Sequence, residues 1–200
     1  MKVSATSRGR RTSPRRKASR RGLHRAGRGR RPRETEPLAG AISLAFAYLA
    51  REHDPRVGHM AREIVLDQAP EISTMNSYLH QAGTPKSAND DGAMDWMDLP
   101  VPISRMPGMP TTTEMNQLRS PQGLDADEVF TRLMINHHAA GVAMADYEAE
   151  HGENDNVKRL AAAMARLQRS ELAEMNTRRR ALGLEPVDAN ALENLHSHAG

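Results

Sequence analysis

Two stretches of this chain match each other without a gap at an offset of one hundred residues. Val57, Ala61, Gln68, Glu71, Met75 and Asn76 recur as Val157, Ala161, Gln168, Glu171, Met175 and Asn176. Upstream, Ala39 and Ala45 recur as Ala139 and Ala145, with Ile42/Val142 and Leu44/Met144 as like-for-like apolar pairs. The copies differ at one chemically telling place: His137-His138 stands where the first copy has Pro37-Leu38. A duplicated scaffold with histidines in one half only points to a binding site that has become asymmetric.

Composition narrows the fold further. One Trp, three Tyr and two Phe accompany 12 Met and abundant Ala and Leu. That mixture suits close-packed helices better than sheets, which favour β-branched and aromatic residues. The absence of Cys excludes disulfides and thiolate metal sites. A length of 200 residues allows one ordinary domain with a tail.

The net charge of +3 conceals a polarity along the chain. Residues 1–33 hold 14 of the 28 Lys and Arg and no acid, so the remainder carries a net charge of −11. The basicity therefore belongs to the tail, and no nucleic-acid partner is expected of the acidic folded part. With almost no apolar residues, residues 1–36 read as a disordered Arg-rich tail. Three readings of it stand: a phosphate-binding arm, the start of an export signal, or a misplaced gene start. Ser19-Arg20-Arg21 resembles a twin-arginine signal, but Glu34 and Glu36 precede the apolar run, and that run aligns with the second repeat. The third reading, in which the tail replaces the true beginning of the first repeat, is preferred.

Beyond the tail, residues 38–52 read as a helix by their Ala and Leu content, too short to span a bilayer. Asp54-Pro55 supplies an N-cap and a first-turn proline for a second helix to about Gln81, with Pro70 expected to kink it. Residues 82–124 form a long polar connection with two Met-x-x-Met pairs, Met94/Met97 and Met106/Met109, and a short helix capped by Thr112 or Thr113 through Leu118. Asp125 or Asp127 is expected to open a third long helix to about His151. Asn154-Asp155-Asn156 caps a fourth from Val157 to Leu182, ended by Gly183. Residues 184–200 read as a loose tail. The sum is an all-α, antiparallel four-helix bundle over residues 37–183. Repeat one covers 37–81, the linker 82–124 and repeat two 125–183, with inward-facing side chains forming any site.

On the third helix, at 100° per residue, Met134, His137, His138, Gly141, Met144 and Ala145 fall within about a 120° arc. On the fourth, Leu160, Met164, Leu167, Glu171 and Met175 share a face. A hairpin of the two brings imidazoles and thioethers near a carboxylate. Imidazole suits copper, zinc, iron and nickel, and thioether sulfur selects Cu(I). Methionines at helical spacing are ordinarily core packing, and Gln168 and Glu171 could serve buried polar contacts between helices. Adjacent histidines diverge by 100°, so at most one points straight into a groove. The Met-x-x-Met pairs, with Met115 nearby, add a second soft-metal signal. Glu148-x-x-His151 lacks the second pair that a di-iron centre needs, and His196-x-His198 lies in the tail. No phosphate loop, nucleophile elbow or zinc-protease helix is present.

Met134-Ile135-Asn136-His137-His138, Ala143-Met144-Ala145, Leu160-Ala161, Gln168, Glu171 and Met175 together resemble the bacterial "domain of unknown function 305" family. Its pattern is a Met-Ile-x-His-His helix followed by a Gln-x-x-Glu-(Ile/Leu)-x-x-Met helix, over about residues 38–183 here. The resemblance implies a ferritin-like bundle, usually exported or on the cell envelope, with some members binding copper or supporting copper tolerance. Family members commonly carry His-His in both repeats, so Pro37-Leu38 is a departure. The chain thus reads as a non-enzymatic protein binding a copper ion, with His137 and His138 as nitrogen ligands. Met134, Met144 and Met175 are the soft ligands, and Glu171 is a carboxylate ligand or a partner to one. The alternatives are a structural or partner-binding bundle without metal and, third, a redox or hydrolytic metalloenzyme, for which no positioned base or nucleophile is found. No transmembrane span is expected, and a homo-oligomer stays open.

Overall fold

The computed structural model describes residues 35–81, 94, 97, 101–102 and 105–188. The basic tail, the linker residues between these segments and the His196-x-His198 pair lie outside the described residues. Five helices account for the described secondary structure: α1 (Thr35–Leu49), α2 (Pro55–Gln81), α3 (Thr112–Arg119), α4 (Leu124–His151) and α5 (Asp155–Ala181). No strand occurs among the described residues. Here α1 packs on α2, and α4 packs along α5. The two pairs meet where α1 lies on α4 and α2 touches α5, while α3 leans on α1 and α4.

The helix boundaries follow from local chemistry. Asp54 Oδ1 accepts from the backbone N–H groups of Arg56 (3.0 Å) and Val57 (3.1 Å), which caps α2. Asn154 does the same for α5 through Asn156 and Val157. Thr111, rather than the expected Thr112 or Thr113, caps α3, in a reciprocal capping box with Glu114. At its far end, α5 stops in a Schellman arrangement. Gly183, at φ +76°, donates to the Arg180 carbonyl, and Leu184 donates to that of Arg179. The helix α2 runs through Pro70, which sits on its exposed side.

Two further expectations are corrected. Helix α4 begins at Leu124 behind Gly123, with no side-chain cap, so neither Asp125 nor Asp127 opens it. Asp127 lies inside the first turn because its carboxylate is engaged elsewhere: it accepts from the Tyr48 hydroxyl and from the Asp54 N–H (3.0 Å). Nor is the start of the C-terminal segment loose. Asn176 and Val187 exchange two hydrogen bonds (2.8 and 3.0 Å), and Val187 packs on the core.

The main core gathers Leu44 and Tyr48 from α1, Val57 and Ile64 from α2, Phe130 and Met134 from α4 and Met175 from α5. Tyr48 and Phe130 stack with ring centroids 4.1 Å apart. Burial, the hydrogen bond to Asp127 and the charge of that carboxylate push the Tyr48 hydroxyl well above its ordinary pKa. Around this end lies a satisfied polar network. Arg178 pairs with Asp54 through two hydrogen bonds and holds the Asp54 carboxyl below its usual range. The buried Arg179 donates to Thr131 Oγ1 (2.7 Å), the Glu128 carbonyl (3.0 Å) and the Glu185 carbonyl (2.7 Å). No helix among the described residues is long and apolar enough to cross a membrane.

Candidate metal centre

Helix α4 is covered on two sides, and this is why both of its adjacent histidines are buried, at 3% and 0% exposure for His137 and His138. Their rings lie 5.9 Å apart, centroid to centroid, and tilted by 58°. The 100° step between neighbouring helical residues sends them to different partners.

His138 faces α5. Its Nε2 hydrogen-bonds Glu171 Oε2 at 2.9 Å, and its Nδ1 is buried without a hydrogen-bond partner among the described residues. One turn on, Gly141 lets α5 come close: a Cβ there would stand 2.3 Å from Gln168 Oε1. Among the described residues, Gln168 Oε1 and both amide atoms of Gln68 are buried without hydrogen-bond partners. Across from Glu171, burial pushes Glu71 up to about 7, aided by repulsion from Glu171 and Asp67. Asp67 is raised in the same way, by burial first and then by Glu171 and Glu63. The two Gln-x-x-Glu segments of the repeat thus share one poorly compensated polar interior.

His137 faces α1 and the linker. Met144, seven residues on and so within about 20° on the helix wheel, and Ala140 lie on the same side. Against them pack the buried Met94 and Met106, with Met97 and Met109 at the margin. Both Met-x-x-Met pairs are turns closed by their own methionines: Met97 N–H to the Met94 carbonyl (2.9 Å) and Met109 N–H to that of Met106 (3.1 Å). In Met106-Pro107-Gly108-Met109, Pro stands second and Gly third at φ +75°, as a type II turn demands. Gly108 also lies flat on α4, because a Cβ there would come 2.8 Å from His137 Cα. Opposite, a Cβ on Gly40 of α1 would stand 3.0 Å from Met109 Sδ and 3.3 Å from His137 Nε2.

The six residues expected to form the site are therefore not gathered at one point. His138 meets Glu171, and His137 and Met144 share the thioether face of α4. Met134 and Met175, both fully buried, belong to the main aliphatic core. Among the described residues, no three His, Asp or Glu side chains converge as a metal centre. The donors that do gather are thioethers beside an imidazole, a set that fits a soft ion such as Cu(I) rather than a hard one. Met109 was read from the sequence only as part of a separate soft-metal signal, and Gly40 and Gly108 were not read at all. The signal for Gly108 was the turn signature Met106-Pro107-Gly108-Met109, whereas Gly40 had none.

Comparison with known proteins agrees with this architecture. A DUF305 protein from Streptomyces coelicolor, provisionally assigned as secreted, shares 29% identity at a TM-score of 0.71, covering 78% of this chain and 92% of its own. A DUF305 fragment from Deinococcus radiodurans shares 28% identity at 0.60, over 74% and 89%. CopM in its Cu(I)-bound form shares 26% identity at 0.55, over 74% and 90%. No curated protein matches the chain. The profile of the family described as "Domain of unknown function (DUF305)" matches residues 38–179, and the chain belongs to that family.

Proposed function

We propose that the protein is a non-enzymatic copper-binding member of its family, serving copper binding or tolerance in the cell envelope. The observation that carries this reading is the buried His137 on a face of α4 covered by methionines. A nitrogen donor among thioethers in a water-poor setting is what a soft metal ion selects. In this reading His137 and Met144 serve as ligands. His138 stands beside them, oriented by Glu171 as a ligating histidine is oriented by a carboxylate partner. Met134 and Met175 form the apolar backing. The four long helices act as an antiparallel bundle of two repeats that holds this face rigid. CopM, seen with Cu(I), and the relative assigned as secreted support the copper and export parts of the reading.

Copper titration of the full chain, with melting in the presence and absence of copper, tests the proposal. Wild type should bind copper tightly and melt higher with it, and His137→Ala/His138→Ala should lose most of both effects. Equal affinity in the double variant would sink the reading. A second reading, a structural bundle without metal, is favoured by one observation: the His138–Glu171 hydrogen bond satisfies that imidazole nitrogen without metal. It requires that the same variant melt lower with no dependence on copper at all.

A further inference from the structure

Away from the metal centre, the outer faces of the two helix pairs differ in chemistry. We propose that the outer face of α1 and α2 rests on an anionic lipid surface. Phe46 and Leu66 enter the interface, and the basic N-terminal segment is held by the headgroups. Such docking is independent of whether copper is bound.

The repeat supplies its own reference for a solvated surface. At four exposed positions the α4–α5 pair carries Asp146, Glu150, Arg166 and Arg169, all charged. One hundred residues earlier, also exposed, the α1–α2 pair carries Phe46, Ala50, Leu66 and Ala69. Asp146 and Arg169 form an ion pair at the surface, so these two positions meet across a helix pair, and α1–α2 has Phe46 and Ala69 there. Phe46 and Leu66 are 60% and 70% exposed. The reverse exchanges, Glu63 for Ala163 and Asp67 for Leu167, lie about 60° and 100° round α2 from Leu66. That is the flank on which Asp67 feels the charge of Glu171. Helix α1 belongs to a run from Pro37 to Ala50 without any charged residue. Single exposed apolar residues are ordinary on a protein surface, but here four positions change together, and an apolar outer face marks an interaction surface.

Charge selects what covers that face. Residues 1–62 hold 17 Lys and Arg against 4 Asp and Glu, whereas residues 63–200 hold 11 against 21. The apolar face therefore belongs to the basic part of the chain, and Arg33 stands two residues ahead of the start of α1 at Thr35. A basic segment continuous with an apolar helix face suits an anionic lipid surface, where headgroups attract the cations and the acyl boundary takes the apolar side chains. Either signal alone holds a protein weakly, and the two together hold it. With 15 residues, α1 is long enough to lie on a bilayer and too short to span it. A second copy laid face to face would bring two basic segments together where each α1 begins, against their mutual repulsion. A nucleic acid would engage the cations and leave the apolar face uncovered.

Cosedimentation of the full chain with vesicles tests the docking. One set is made of equal parts phosphatidylglycerol and phosphatidylcholine, the other of phosphatidylcholine alone. Wild type should partition onto the anionic set at least tenfold more strongly, and added salt should weaken that binding. Phe46→Asp/Leu66→Arg introduces the charged residues of the α4–α5 pair and leaves the net charge unchanged, so it removes the apolar contact alone. It should bind the anionic vesicles at least tenfold more weakly while melting as wild type does. Ala50→Glu/Ala69→Arg, equally charge-neutral, should weaken binding in the same direction. Leu167→Gln, on α5, should bind as wild type. If one double variant melts lower than wild type, the other decides. Binding of the double variants within twofold of wild type, or equal binding of wild type to both vesicle sets, overturns the proposal. So does a wild type that stays in solution with both. Self-association of wild type that Phe46→Asp/Leu66→Arg abolishes, without vesicle binding, would assign the face to a second copy instead. Retention on duplex DNA without vesicle binding would assign the basic segment to nucleic acid and equally overturn it.

Discussion

Two polar regions lie within this helical assembly, and they are built on opposite principles. At one end, Tyr48, Asp54, Asp127, Thr131, Arg178 and Arg179 form a network in which each named side chain meets a partner. Between α2, α4 and α5, Gln68, Gln168 and His138 bury polar atoms that meet none among the described residues, beside carboxyl groups that repel each other. A buried polar group stabilises a fold only when it is paired, and an unpaired one costs about 1–3 kcal/mol. The first region therefore fastens the fold. The second strains it, and such strain concentrates where function lies.

Substitutions should separate the two regions by sign. The largest effect is expected for Arg179→Ala, which leaves Thr131 Oγ1 and two carbonyls of the satisfied network without their donor. A loss of about 3 kcal/mol follows, read as a fall in Tm of roughly 10 °C. A fall of only a degree or two would mean that the network fastens nothing.

The strained region should respond to pH in the opposite sense from ordinary carboxylates. Folding raises Glu71 from its ordinary 4.5 to about 7, so the folded state holds that proton more tightly than the unfolded chain. The resulting stability is fully present below about pH 4.5 and is lost as pH rises through about 7. Glu71 is only partly buried, and screening reduces the effect to on the order of 1 kcal/mol. Glu71→Gln should therefore melt higher than wild type at pH 8 and flatten the decline between pH 5 and 8. An unchanged pH profile would show that the carboxyl groups do not repel as described.

The smallest effect is also the sharpest in sign. Gln68→Leu removes two buried atoms without hydrogen-bond partners and keeps most of the volume, so it should leave stability unchanged or raise it by about 1 kcal/mol. Chemical denaturation reads this directly. A clear destabilisation would mean that the Gln68 amide is satisfied after all, and the contrast between the two regions would dissolve.

What the sequence disclosed follows the range of the forces involved. The caps at Asp54 and Asn154 and the stop at Gly183 depend on contacts spanning two to five residues, so composition and spacing reveal them. The start of α4 was misplaced because Asp127 answers to Tyr48, a residue 79 positions distant. The segment after Gly183 read as loose because the Asn176–Val187 clasp cannot be inferred from a polar tail. At the candidate site, adjacency of the histidines and their 100° divergence were legible. That α4 would be covered on both sides, giving each imidazole its own chemistry, depends on where the linker lies. The glycine at position 40 carries no signal in isolation, and only the approach of α1 to His137 gives it meaning.

The two methionine turns have one more consequence. Each sets the relation of its own first and last residues through a hydrogen bond inside the four-residue unit. The backbone spacing within a pair is then independent of how much chain separates the pairs. A change in the number of residues between Met97 and Met106 would leave each turn's own hydrogen bond intact. Linker length and turn geometry are therefore separable in this architecture, and the linker could drift while each methionine turn stays intact.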